Sequence, residues 1–155
     1  MNSDFMKLAI REAWKGMSRN EGGPFGAVVV LDGRVISRAH NEVVKTHDPT
    51  AHAEILAIRR ASNKFGRFDL SDCEIYTTCE PCPMCLAAMH WARIKKFYFG
   101  CTKDDAARIR FDDGRISRAI RGEGKSRQIS GVPMQREECL ELFEAWKVKK
   151  DRTRY

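Results

Sequence analysis

The feature that most constrains this chain is a pair of short motifs, His52-Ala53-Glu54 and, some thirty residues on, Pro81-Cys82-Pro83-Met84-Cys85. Cys82 and Cys85 are three apart, so on a helix both sulfurs lie on one face. Pro81 and Pro83 fit only where a helix starts, because an interior proline removes a hydrogen bond and clashes with the preceding turn. The spacing therefore predicts a helix that presents both cysteines in its first turn. There the unpaired N–H groups and the positive end of the helix dipole favour thiolate, the form that ligates metal.

His52 adds one neutral imidazole and completes a Cys2His donor set. Two thiolates balance the charge of a dication, which lowers the cost of burying the site. Three protein ligands leave a fourth tetrahedral position open, the pattern of catalytic zinc, whereas structural zinc is closed by four. Glu54 lies two residues past His52, about 200° around a helix. It falls outside the ligand face yet within reach of a water in the open position, the place of a proton shuttle. A lone C-x-x-C also marks a redox pair or half of a structural zinc site. Cys79, Cys82 and Cys85 together begin like an iron–sulfur run, but no fourth cysteine follows at the required spacing. Neither alternative accounts for the His-x-Glu or the two prolines. One zinc ion per chain on His52, Cys82 and Cys85 is the expectation.

At 155 residues the chain is read as a single domain over 1–155, long enough to bury a real core. Apolar residues make up 43% and charged residues 32%, which excludes a wholly disordered chain. No apolar run approaches a membrane span. The start, Met1-Asn2-Ser3-Asp4-Phe5, lacks the basic and apolar stretches of a secretory signal. With two of six cysteines assigned to metal, a reducing cytoplasm is the expected compartment. Cys73 and Cys139 are expected to be buried as small hydrophobes. The net charge of +7 is concentrated late, in Arg108, Arg110, Arg115, Arg118 and Arg121 and then around Lys147 to Arg154. Such runs are ordinarily a solvated face; contact with phosphate is the functional alternative.

Periodicity predicts a helix over about 4–18, a hairpin of Phe25–Leu31 and Arg34–Ala39 turning at Asp32-Gly33, and a loop over Asn41–Thr50. A helix then runs from a Thr50 cap to about Ala61. Cys73–Thr78 reads as a strand, 82–92 as the cysteine helix and Lys95–Gly100 as a strand parallel to the one before it. Beyond 101 come a short helix over Asp104–Arg110, a turn or cap at Asp112-Asp113-Gly114, an exposed loop over Gly122–Pro133 and a closing helix over Gln135–Lys150.

Thr50-Ala51-His52-Ala53-Glu54 and Cys79-Glu80-Pro81-Cys82-Pro83-Met84-Cys85 make the chain resemble the cytidine deaminase-like superfamily over nearly its whole length. Within it, Pro24-Phe25-Gly26-Ala27, Asp48-Pro49-Thr50, Trp91-Ala92-Arg93, Phe111-Asp112-Asp113 and a terminal Tyr155 are similar to the small bacterial guanine deaminases. The resemblance implies an α/β fold, a three-layer α/β/α sandwich around a central five-stranded mixed sheet. It implies an aminohydrolase that turns guanine into xanthine and ammonia in purine salvage or catabolism, with Glu54 as proton carrier. Phe25, Asn41, Ala53, Trp91, Asp113 and Tyr155 are the implied substrate contacts, with the Cys79 and Glu80 backbone helping to orient the base. Read without the resemblance, Phe25 and Trp91 are core side chains, and Asp113 belongs to an ordinary turn. A homodimer is implied, in which the segment of about 134–155 is exchanged and Tyr155 covers the partner subunit's site. The arginine-rich stretch 115–127 departs from that family. The tRNA adenosine deaminases share D-P-T-A-H-A-E and P-C-x-x-C and are the rival reading. Against it, those enzymes carry a small aliphatic residue in place of Phe25 and a glycine- and alanine-rich loop where this chain runs Asp104–Asp112. Deamination of cytosine, isocytosine or an aminotriazine remains open, as does a non-catalytic zinc or nucleic-acid binding module. The intact Glu54 weighs against the module, since a structural zinc does not need that carboxylate.

Overall fold

The chain runs α1 (Ser3–Ser18), β1 (Gly26–Leu31), β2 (Arg34–His40), α2 (Val43–Thr46), α3 (Ala53–Phe65), β3 (Glu74–Cys79), α4 (Pro83–Trp91), β4 (Lys96–Cys101), α5 (Lys103–Arg108), α6 (Gly114–Ile120) and α7 (Arg136–Val148). This is a computed structural model, and it describes residues 3–123, 129 and 131–153. Tyr155 and most of 122–130 lie outside the described residues.

The strands form one mixed sheet in the order β2-β1-β3-β4. β1 pairs antiparallel with β2 and β3, and β3 pairs parallel with β4 across α4. The near-continuous apolar run of β1 is what a strand covered on both faces requires. Ala27 and Val29 face α3 and α4, packing with Ala57, Ile75 and Met89. Val28 and Val30 face the other way, against Ala9 of α1 and Tyr76. Each fully buried valine contributes roughly 1.5–3 kcal/mol. One helix on one face and two on the other give the three-layer α/β/α arrangement. The hairpin turns at Asp32 and Gly33, both at positive φ (48° and 73°), as a two-residue type I′ turn demands.

The sheet has four strands among the described residues, not five. After Cys101 the chain enters α5 at once, because Thr102 and Asp105 form a capping box that nucleates a helix there. The expected loop before His52 contains a turn of helix, α2. The expected Thr50 cap is also replaced: His52 itself is the N-cap of α3, and the Thr50 hydroxyl instead donates to Asp48 at 2.7 Å. Cys73 is buried as expected, but Cys139 is exposed, because among the described residues no side chain of α7 is buried. Among the described residues no helix is long and apolar enough to cross a membrane.

Candidate functional site

His52 and Cys82 occupy equivalent positions on two different helices. Each is an N-cap with extended backbone (ψ 153° and 167°), and each carbonyl accepts the first helical N–H, from Leu56 and Leu86. Pro83 follows at the first helical position, where its missing N–H costs nothing. Cys85 then falls in the first turn of α4, fully buried, and Glu54 in the first turn of α3, 6% exposed. Two helix N-termini thus converge on one point, and both dipoles favour negative charge there.

His52 Nδ1 lies 3.6 Å from Cys82 Sγ and 3.5 Å from Cys85 Sγ. Tetrahedral zinc, with Zn–S of about 2.3 Å and Zn–N of about 2.0–2.1 Å, sets sulfur and nitrogen about 3.5 Å apart. The three donor atoms lie within 4.8 Å of one another and could hold a metal ion. The donor chemistry fits zinc in both spacing and type. Without a dication the thiols compete: contact with Cys85 and with His52 holds Cys82 down at about 4, while that contact and burial push Cys85 up. Cys82 in turn raises His52 through their hydrogen bond. A cation at the centre relieves this opposition, since a coordinating thiol is deprotonated outright. Burial pushes the Glu54 carboxyl upward.

Cys79 does not belong to the set. Its Sγ donates to the Thr102 carbonyl at 3.6 Å, and burial pushes the thiol up to about 11. It serves as wall.

The metal-side residues open into a cavity of about 530 Å³. Phe25, Asn41 and Asp113, expected from the sequence, line it, as do Cys79 and Glu80. Asn41 is 4% exposed; its N–H donates to Phe25 O (3.0 Å) and its Oδ1 accepts from Val43 N–H (3.1 Å). With the carbonyl side occupied, the amide NH2 is the group left for a ligand. Asp113 stands before α6 with one carboxylate oxygen buried and, among the described residues, without a hydrogen-bond partner, and burial pushes its carboxyl upward.

Two expected contacts are elsewhere. Ala53 is fully buried in the core packed against the sheet and does not line the cavity, since the N-terminal turn of α3 points it inward. Trp91, at the far end of α4, is 66% exposed and lines a separate groove with Phe68 and Thr153. One helix cannot bring both its first-turn cysteines and its last residue to the same point. The wall also holds residues the sequence reading assigned no role, Val43, Val44, Lys103 and Ile116, together with Arg110, read only as part of the late basic run, and Phe111, which entered only within a family motif. The one local hint was an aromatic residue before Asp112-Asp113-Gly114.

Comparison with known proteins agrees with this geometry. Residues 1–101 match the model of the cytidine and deoxycytidylate deaminase zinc-binding region. Guanine deaminase of Bacillus subtilis is 44% identical over 143 residues, 92% of each chain. The X-ray structure of guanine deaminase from Bacillus subtilis superimposes with a TM-score of 0.91, covering 100% of this chain and 99% of that one at 42% identity. The tRNA-specific adenosine deaminase of Aquifex aeolicus is 46% identical, but over only 61% of this chain and 62% of its own. On the match over residues 1–101 and the 44% identical relative, the chain is an aminohydrolase that belongs to the zinc-binding cytidine and deoxycytidylate deaminase family.

Proposed function

We propose that this protein hydrolyses guanine to xanthine and ammonia, with His52, Cys82 and Cys85 holding one zinc ion per chain. The observation that carries the reading is the buried oxygen of Asp113 in the cavity wall, which has no hydrogen-bond partner among the described residues. An ionised carboxylate only accepts, so it calls for an N–H on the ligand. Guanine supplies ring N–H groups; an adenosine within RNA has none, its only N–H bonds being on the amino group that leaves. Asn41 offers the complementary donor to the acceptor edge that guanine carries at O6 and N7. A site built to pair such groups rejects ligands that leave them unpaired. The match to guanine deaminase supports the same conclusion: a 143-residue alignment in a chain of 155 must include the Lys103–Ile116 wall.

When bound, the ion supplies a water acidified enough to act as a nucleophile near neutral pH. With the ion in place, Glu54, desolvated and beside Cys85, would carry a proton from that water to the ring nitrogen next to the carbon under attack. A second proton passes through Glu54 to the amino group, the C–N bond breaks and ammonia departs. Phe25 and Phe111 supply flat apolar walls, and flipped or free bases are read between such surfaces.

The reading includes a homodimer in which the segment of about 134–155 packs on a second copy. Supporting it, Leu142 and Phe143 of α7 are each 69% exposed and Trp91 is 66% exposed, more apolar surface than an isolated subunit leaves bare without cause.

Ammonia release by the zinc-loaded protein from guanine, adenine, cytosine and a tRNA anticodon stem-loop tests the proposal. Release from guanine alone is expected. Release only from the stem-loop would assign the chain to RNA and give the late arginines a phosphate-binding role.

A further inference from the structure

The nearest polar cluster outside the site surrounds His40, 4% exposed at the end of β2. Its Nε2 lies 2.5 Å from Glu21 Oε2 and 3.7 Å from Glu42 Oε1, and its Nδ1 lies 3.4 Å from Glu12 Oε2. Glu21, His40 and Glu42 superficially resemble a metal triad. Two ligand atoms on one tetrahedral ion at about 2.0–2.2 Å would stand about 3.4 Å apart. The 2.5 Å contact is instead a direct hydrogen bond, and a cation already sits on every carboxylate: Arg38 on Glu12, Lys45 on Glu21 and Arg60 on Glu42.

A carboxylate cannot donate, and a neutral imidazole has one N–H and one bare lone pair. With carboxylate oxygens facing both ring nitrogens, either tautomer would set a lone pair against an anion. Hydrogen on both nitrogens is the arrangement in which each meets an acceptor, and the ring bridges α1 and the α1–β1 loop. The hydrogen bond from His40, followed by Lys45, holds the Glu21 carboxyl below its usual range. The ring packs against Gly16 of α1, where an added Cβ would stand 2.5 Å from the ring's Cδ2, so a larger residue there would force the ring to move.

His40 is followed directly by Asn41. Glu21 also accepts, through its carbonyl, the N–H groups of Val44 and Lys45 at 3.1 and 3.0 Å. One residue thus grips the His40 ring with its side chain and the first turn of α2 with its backbone. We propose that His40 is a positioning residue, a doubly hydrogenated clamp that sets the Asn41 amide and the Val43–Val44 wall against the substrate. The proposal rests on the reading that Asn41 meets the substrate edge.

Nitrogen-resolved NMR of the zinc-loaded wild-type protein at neutral pH should show a hydrogen on both His40 ring nitrogens; a single one overturns the proposal. His40→Gln and Glu21→Gln should each raise KM for guanine about tenfold, with kcat within about twofold and zinc still bound. Asn41→Ala serves as the control. If it raises KM while both clamp variants leave KM unchanged, the clamp is wrong and the Asn41 reading stands. Should Asn41→Ala itself leave KM unchanged, the Asn41 reading fails and takes the clamp with it. Because the NMR result needs no variant, the proposal can be overturned even if His40→Gln fails to fold.

Discussion

The ring of Phe111 stands edge-on to that of Phe25, with centroids 5.0 Å apart and planes at 88°. The contact joins the start of β1 to the segment before α6 along one wall of the cavity. Such pairs are worth about 0.5–1.5 kcal/mol beyond the area they bury. Phe111→Ala is expected to raise KM for guanine roughly tenfold. Zinc content and kcat should stay near the wild-type values, since neither aromatic ring is among the metal-side residues. Steady-state ammonia release with metal analysis checks this. A fall in kcat alone would mean that Phe111 does not contact bound substrate.

Glu54 is buried beside Cys85 and outside the donor triad. Glu54→Gln keeps the shape and removes the carboxylate, so it should bind zinc normally and lose turnover by roughly 10²–10⁴-fold. Metal analysis and single-turnover ammonia release on the same sample separate the two effects. Wild-type turnover in this variant would assign the proton transfer to another group.

The 3.5 and 3.6 Å spacings around His52 Nδ1 imply that zinc ties α3 to α4. Removing it should cost folding stability as well as activity, because a ligand that binds only the folded state stabilises by mass action. The expected result is that chelated protein releases no ammonia and melts several degrees lower, and that added zinc restores both. His52→Ala should show the same melting loss without restoration. Unchanged melting after metal removal would mean that the helices are held together without the ion.

The metal-side residues were legible because their chemistry is local. Two prolines and a three-residue spacing fix where α4 starts, whatever the rest of the chain does. The sheet was legible for a similar reason: Val28–Val30 and the Asp32-Gly33 turn state strand and hairpin within a few residues. The far wall was not, because Phe111 and Ile116 reach the cavity only through the path of α5 and α6, which no periodicity records. Trp91 was misplaced by treating a family match as if it fixed position within one subunit. Cys139 was misread because a free cysteine was taken for a small buried hydrophobe, a preference of the residue type that says nothing of whether its helix is packed. The His40 cluster draws on four separate segments, so no window of sequence contains it.

Asp48 Oδ1 accepts from both the N–H and the hydroxyl of Thr50, at 2.8 and 2.7 Å, and so shapes the loop that delivers His52. The hydroxyl and then the N–H hold its carboxyl below the usual carboxylate range. A carboxyl lowered on folding contributes stability above its unfolded value of about 3.9, and that contribution is lost as pH falls through the lower folded value. Asp48→Ala should therefore melt below wild type from neutral pH down to about pH 4, with the gap closing at more acid pH. Thermal melts across that range decide it. A gap that stays constant with pH would trace the loss to packing rather than to the carboxylate.

The C-terminal helix offers the last test. Leu142, Phe143 and Trp146 are 69%, 69% and 44% exposed, although their spacing makes one apolar face. In the proposed assembly a second copy covers that face. Phe143→Glu places a charge at its centre, where desolvation without a partner is costly. Sedimentation should then show the wild type as a dimer and the variant shifted toward monomer. If the exchanged segment also completes the site, ammonia release should fall as the dimer is lost and recover as protein concentration is raised. A wild-type protein that sediments as a monomer would end the exchange model and leave α7 folded back on its own subunit.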